Sequence, residues 1–139
     1  MNFLLDTNVL SELKKRQPDR AVEAWIAAQP ANRLYLSVLT LGELRKGIEA
    51  LPEGERKASF SAWLNQELPG YFAGRILGID VRVADRWGSL CAAAGRPLPA
   101  IDSLLAATAL EHGMVLVTRN EMDFRLAGIK ICNPWKTGV

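Results

Sequence analysis

Phe3-Leu4-Leu5-Asp6-Thr7-Asn8 joins an apolar run to a carboxylate and two short polar side chains. A buried strand that stops on a carboxylate sets that group at the carboxyl edge of a sheet. In open α/β folds that edge is where ligands bind. Three more acids, Glu43, Asp102 and Asp123, stand at comparable junctions further along. Carboxylates converging on one spot repel one another unless a cation lies between them.

Working outward, residues 2–6 read as a strand and Val9, Leu10 and Leu13 as the apolar face of a short helix. Gln17-Pro18-Asp19 breaks it, and Val22, Trp25 and Ile26 mark a second helix at i, i+3, i+4 spacing. Leu34-Tyr35-Leu36 predicts a strand. Residues 37–50 predict a helix striped by Leu41, Leu44 and Ile48, and Leu51-Pro52-Glu53-Gly54 ends it. Phe60, Trp63, Leu64 and Leu68 stripe one further helix over 55–68, while 69–75 read as irregular and Ile76-Leu77-Gly78-Ile79 as extended. Helices follow at 81–94, closed by Gly95, and at 100–112, stopped by Gly113. Met114 to Val117 is the clearest buried strand, with a short helix at 120–126 and a last strand at 129–132. Short apolar strands alternating with helices predict an α/β fold. Its central sheet is parallel, of about five short strands flanked by helices, in a single domain spanning 1–139.

The bulk composition excludes more than it identifies. A chain of 139 residues suits one domain with a real core, and 49% hydrophobic with 23% charged residues is ordinary for a globular protein. A net charge of +2 permits a nucleic-acid partner without announcing one. Cys91 and Cys132 have no CxxC spacing, which argues against zinc or a disulfide framework and for a reduced, cytoplasmic setting. Cys91 itself reads as a small buried apolar residue. No apolar run approaches the roughly 20 residues that span a bilayer, and Phe3-Leu4-Leu5 is too short for a signal-peptide core. The single histidine, His112, sits at a helix end, where it suits the dipole. Neither a Ser-His-Asp nor a Cys-His arrangement is available, and Gly-rich phosphate cradles are absent.

Each acid carries two readings. Asp6 suits a helix N-cap, worth about 1 kcal/mol, as well as a site. Thr40-Leu41-Gly42-Glu43 fits a capping box, but a helix beginning near Ser37 would put Glu43 one or two turns in, off the apolar stripe. Asp102 gains roughly 0.3–1 kcal/mol from the dipole of its helix. Flanking Ile101, Leu104 and Leu105 nevertheless suggest burial, which calls for a cationic partner. Asp123 and Asn120 both suit a cap for the short helix at 120–126. As a cluster, hard oxygen donors select Mg2+ or Mn2+ over zinc. Their chemistry is metal-assisted attack of water on phosphorus, with a nearby carboxylate orienting the water or taking its proton.

Four stretches occur in order: Leu4-Leu5-Asp6-Thr7-Asn8-Val9, Ser37-Val38-Leu39-Thr40-Leu41-Gly42-Glu43-Leu44, Ile101-Asp102-Ser103-Leu104-Leu105-Ala106-Ala107-Thr108-Ala109 and Val117-Thr118-Arg119-Asn120-Glu121-Met122-Asp123-Phe124. With the Asn133-Pro134-Trp135 ending, they resemble a PIN domain of the VapC/FitB kind, the ribonuclease toxins of VapBC-type toxin–antitoxin pairs. The resemblance implies a type II toxin acting as a Mg2+- or Mn2+-dependent endoribonuclease. Asp6, Glu43, Asp102 and Asp123 would be its catalytic, metal-binding quartet, and Thr7, Asn8, Thr118 and Asn120 its supporting polar residues. Some relatives carry an Asp directly after the Thr-Arg pair, where this chain has Asn120, so Asn120 and Asp123 compete for the fourth position.

The resemblance further implies a homodimer and a cognate VapB/FitA-like antitoxin whose C-terminal segment fills the active-site groove. Operator DNA would be bound only through that complex. Trp25, Trp63 and Trp87 read as core residues. Arg33, Arg45, Lys46, Arg82, Arg86, Arg96, Arg119 and Arg125 are scattered candidates for RNA phosphate contacts. Two other readings compete. A haloacid-dehalogenase-like phosphatase needs a second Asp where Asn8 stands, and a placed Lys. A non-catalytic PIN-fold binding or autoregulatory module would act only through its partner.

Overall fold

Apolar runs too short to be helices pair here as five parallel strands. They are β1 (Phe3–Leu5), β2 (Leu34–Ser37), β3 (Ile76–Leu77), β4 (Val115–Val117) and β5 (Ile131–Cys132), in the order β3-β2-β1-β4-β5. The computed structural model describes residues 1–126 and 128–136; the single domain expected over 1–139 therefore extends over residues 127 and 137–139, which lie outside the described residues. Phe3 stands opposite both Leu34 and Val115, and Leu4 opposite Tyr35 and Leu116. The chain leaves β1 toward β2 and β3 on one side and returns to β4 and β5 on the other. β1 is therefore the point where strand order reverses, the place where a parallel sheet opens a crevice for ligands.

Seven α-helices cover the sheet among the described residues: α1 (Thr7–Leu13), α2 (Arg20–Ala28), α3 (Val38–Glu49), α4 (Glu55–Ala62), α5 (Leu68–Tyr71), α6 (Val81–Ala94) and α7 (Ala100–His112). Successive strand side chains point to opposite faces, and β1 shows it directly. Leu5 joins Val9, Leu10, Val22, Leu36, Leu44 and Phe72 in one core. Leu4 joins Leu105, Ala106, Ala109, Leu116 and Phe124 in the other, beneath α7. Both leucines are at most 1% exposed, as expected for a sheet covered on both faces. Among the described residues no helix is long and apolar enough to cross a membrane.

Several expectations need correction. Thr40 is not a cap: Ser37 caps α3, its hydroxyl accepting from Leu39 N at 3.0 Å, and Thr40 is buried one turn inside. The capping box is therefore absent and Glu43 lies in the second turn. The helix expected over 55–68 is interrupted by a π turn at Trp63–Glu67, after which Leu68–Tyr71 is helical rather than irregular. Pro69 is tolerated there because it sits in a first turn, where no intrahelical N–H is needed. The short helix at 120–126 contracts to a 3₁₀ turn, Glu121–Phe124. Cys91 is half-buried rather than buried. The tryptophans do pack inward: Trp25 meets Phe3 edge-on at 5.0 Å, and the Trp87 indole donates to Ser103 Oγ at 2.9 Å, tying α6 to α7.

Candidate active site

Asp6 leaves β1 still paired to the sheet, its N–H donating to Val117 O at 2.9 Å. It then caps α1, Oδ1 accepting from Thr7 N at 2.7 Å. The cap and the site are the same group, because a carboxylate has a second oxygen. Oδ2 accepts from Thr118 Oγ1 at 2.8 Å and from Asn8 Nδ2 at 3.4 Å. Thr118 lies just past β4, fully buried, held by its N–H donating to Cys132 O at 3.0 Å. Its hydroxyl oxygen also accepts from Asn8 Nδ2 at 3.3 Å and Asn120 N at 3.0 Å. On the other side, Thr7 Oγ1 donates to Glu43 Oε1 at 2.5 Å and lies 3.2 Å from Thr40 Oγ1. The N-terminus of α1 is thus tied to β4 by main chain and side chains, and to α3 by side chains.

Asp6, Glu43 and Asp102 line one cavity of about 380 Å3, together with Thr7, Asn8, Asn120 and Arg119. Asp102 reaches it from the first turn of α7 and is half-buried. Asp123 lies outside this cavity. It is exposed on the 3₁₀ turn and shares a smaller neighbouring hollow with Asp102. Of the two competitors for the fourth position, Asn120 lines the cavity and Asp123 flanks it. Thr118 stands behind Asp6 rather than at the cavity wall.

The electrostatics follow from this crowding. Burial pushes the Asp6 carboxyl up to about 6, against the lowering effect of its Thr118 and Thr7 hydrogen bonds, and the charges of Asp102 and Glu43 push it further. Burial also raises Asp102, with Asp123 and Glu43 adding to it. Lys15 and Arg119 also line the cavity, but among the described residues neither forms an ion pair with Asp6, Glu43 or Asp102, and Asn8 Oδ1 is buried without a hydrogen-bond partner. A buried acceptor normally has one. Oxygen-only donors, mutual repulsion and an orphaned acceptor fit a small hard cation with its water. Among the described residues no three acids, histidines or cysteines stand together as a ready-made cage.

Glu12 was missed by the sequence reading. It is 5% exposed, accepting from Asp19 N at 2.9 Å and pairing with Lys15 at 2.9 Å. The hydrogen bonds from Lys15 and Asp19 hold its carboxyl below the usual range. It locks the corner between α1 and α2 beside the cavity. The available signal was an acid set between Val9 and Leu13 on an apolar helix face.

Residues 3–129 match the PIN domain family. The VapC ribonuclease Y4jK of Sinorhizobium fredii is 44% identical over 137 residues, covering 96% of this chain and 98% of its own length. The toxin FitB of Neisseria gonorrhoeae is 38% identical over 136 residues, covering 96% and 98%. The structure of FitAB bound to an IR36 DNA fragment superposes with a TM-score of 0.89 at 36% identity, covering 99% of this chain and 98% of that one. With the family model matched over nearly the whole chain and relatives of this identity and coverage, the chain belongs to the PIN-domain family, among the VapC and FitB toxins.

Proposed function

We propose that residues 1–139 act as one PIN domain, the toxin of a type II toxin–antitoxin pair, hydrolysing RNA phosphodiester bonds as a Mg2+- or Mn2+-dependent endoribonuclease in the cytoplasm. The observation that carries the reading is the convergence of Asp6, Glu43 and Asp102 on one cavity, with Asp6 raised to about 6 and Asn8 Oδ1 left unpartnered. The ribonuclease names of VapC relatives support the substrate class.

Asp6 and Asp102 would hold the divalent ion, with Glu43 and the Asn8 carbonyl oxygen reaching it directly or through its water. Bound there, the ion would lower the pKa of a water and neutralise charge on the phosphate oxygens. Glu43, restrained by Thr7, is positioned to orient the attacking water or take its proton. Thr118 and Thr7 orient Asp6. Asn120 contributes a neutral oxygen to the fourth position, and Asp123 adds negative potential from outside the cavity.

Complexes of relatives extend the proposal to partners. FitAB is seen bound to DNA and VapBC from Salmonella typhimurium likewise. This chain would pair as a homodimer with a VapB/FitA-like antitoxin and meet operator DNA only through that complex.

The decisive experiment purifies the parent, Asp6→Asn and Asp102→Asn and follows cleavage of total RNA with Mg2+, Mn2+ or EDTA. Metal-dependent cleavage in the parent, lost in both folded variants, is the expected result. Full cleavage by both variants overturns the site.

A further inference from the structure

The segment after β5 returns to the mouth of the acidic cavity and puts an aromatic ring against a cation. The Arg119 guanidinium carbon lies 5.3 Å from the centroid of Trp135. Trp135 is anchored through the main chain: its backbone N–H donates to Asn133 Oδ1 at 3.0 Å, and Asn133 Nδ2 donates to Glu121 Oε2 at 3.0 Å. A guanidinium held over a fixed ring is restrained in place and keeps N–H groups for two oxygens of a phosphate.

Arg119 is also uncommitted. It is exposed and makes no ion pair among the described residues, whereas its cationic neighbours Lys15 and Lys136 are paired with Glu12 at 2.9 Å and Glu121 at 2.5 Å. Arg119 and Trp135 line the acidic cavity and, on its other side, a cleft of about 560 Å3 that Arg125 and Lys136 also line. That cleft is mixed in charge: Glu121 and Asp123 also line it and Glu121 is paired with Lys136, which leaves Arg119 and Arg125 as its cations without an ion pair among the described residues. The passage from the carboxylates into it crosses Arg119 and Trp135. A cation that lines the same cavity as three acids, yet forms an ion pair with none of them, suits a ligand that brings its own negative charge.

We propose that Arg119 and Trp135 form a clamp for single-stranded RNA. Arg119 grips a phosphate next to the one presented to the carboxylates, Trp135 holds the guanidinium plane, and the strand leaves through the cleft past Arg125. The clamp rests on the ribonuclease reading for its substrate. A phosphate strand fits this path better than a protein segment, since Arg119 and Arg125 are cations without an ion pair among the described residues and an aromatic ring stands beside Arg119, the pairing of charge and stacking surface that single strands use. Arg119 is a binding residue and Trp135 a positioning residue that acts through it.

The test separates binding from cleavage. Full-length protein in EDTA is titrated into a fluorescein-labelled single-stranded oligoribonucleotide of mixed sequence, about 12 nucleotides long, within the usual range of single-strand site sizes, and anisotropy is read across a salt series. Arg119→Ala should weaken binding about tenfold and flatten the slope of log K against log salt by about 0.7, one single-strand phosphate contact. Arg119→Lys should keep the slope and recover only part of the affinity. Trp135→Ala should keep the slope and weaken binding, and Trp135→Phe should restore it. In metal-dependent cleavage, Arg119→Ala should raise KM with kcat little changed.

Parental affinity and slope in folded Arg119→Ala, an exposed substitution that leaves the core intact, overturn the clamp. So does a pattern in which both alanine variants bind RNA normally but lose co-purification with the co-expressed antitoxin, which would assign the stack to a protein interface. RNA binding through Arg119 with no cleavage by the parent under any metal would instead sustain the clamp and sink the ribonuclease reading.

Discussion

Asp6 and Asp123 each follow an apolar parallel strand, yet the corner after β1 and the turn after β4 hold them in opposite states. Asp6 is 7% exposed, caps α1 and accepts hydrogen bonds on both oxygens. Asp123 is exposed on a 3₁₀ turn, and among the described residues its side chain makes no hydrogen bond. The β1 corner turns straight into a helix, so its carboxylate is trapped between strand end and helix start. After β4 the chain spends Thr118, Arg119 and Asn120 before it turns, and that slack carries the acid out of the cavity. The same residue type is a ligand candidate in one place and a source of field in the other.

The largest expected effect tests the trapped acid. Asp6→Asn should cut metal-dependent cleavage by about a thousandfold or more, measured as initial rates, while circular dichroism stays native because Asn caps a helix as well as Asp does. Cleavage within a few fold of the parent would erase the distinction between the two corners.

Next comes pH. The Asp6 carboxyl has a folded pKa of about 6, above its ordinary 3.8, so the native state binds the extra proton between those values. Its contribution therefore favours folding at low pH and is lost as pH rises through about 6, by up to about 3 kcal/mol. Urea denaturation of metal-free protein should show stability falling from about pH 4 to pH 7. Asp6→Asn should flatten that fall and be the more stable protein at neutral pH. Added Mg2+ should recover stability in the parent and not in the variant, read as a shift in Tm. Insensitivity of the parent to Mg2+ would contradict the cation-site reading.

A smaller effect should come from Thr118→Val, which keeps the shape and removes the hydroxyl that Asp6, Asn8 and Asn120 share. A cost of about 1–3 kcal/mol is expected from the stranded partners, with the pH–rate profile displaced upward because Asp6 loses a bond that favours its charged form. The smallest effect belongs to Asp123→Asn. Cleavage should fall by less than about tenfold, the loss of a screened through-space charge, and by less than in Asn120→Ala. The reverse order would move the fourth position to Asp123.

Much of this was legible in the sequence for a physical reason. Strands buried on both faces are apolar throughout, so β1, β2 and β4 stand out as runs, and the acids at their ends are conspicuous. Strand order was not legible, because β1 as the point of reversal depends on which strands pair, and apolar runs do not encode that. The Thr40-to-Glu43 spacing misled because a competing cap at Ser37 took the helix start. The π turn at Trp63 was invisible because Phe60, Trp63, Leu64 and Leu68 satisfy a continuous helix equally well. Arg119 and Trp135 stand sixteen positions apart across a turn and a strand, and no periodicity links them.

The Thr118 hydroxyl touches three of the polar groups around the cavity at once. Its consequence is evolutionary. A residue whose hydroxyl answers at once to the Asp6 and Asn8 side chains and to the Asn120 main-chain N–H cannot lose that hydroxyl alone, since its loss strands all three. Lineages that remodel this pocket should therefore exchange Asp6, Asn8 and Thr118 as a set, and the intermediate genotypes between two such sets should be poorly fit. Substrate preference in this group would then diversify along the outer basic cleft, where single substitutions are tolerated, long before the inner constellation changes.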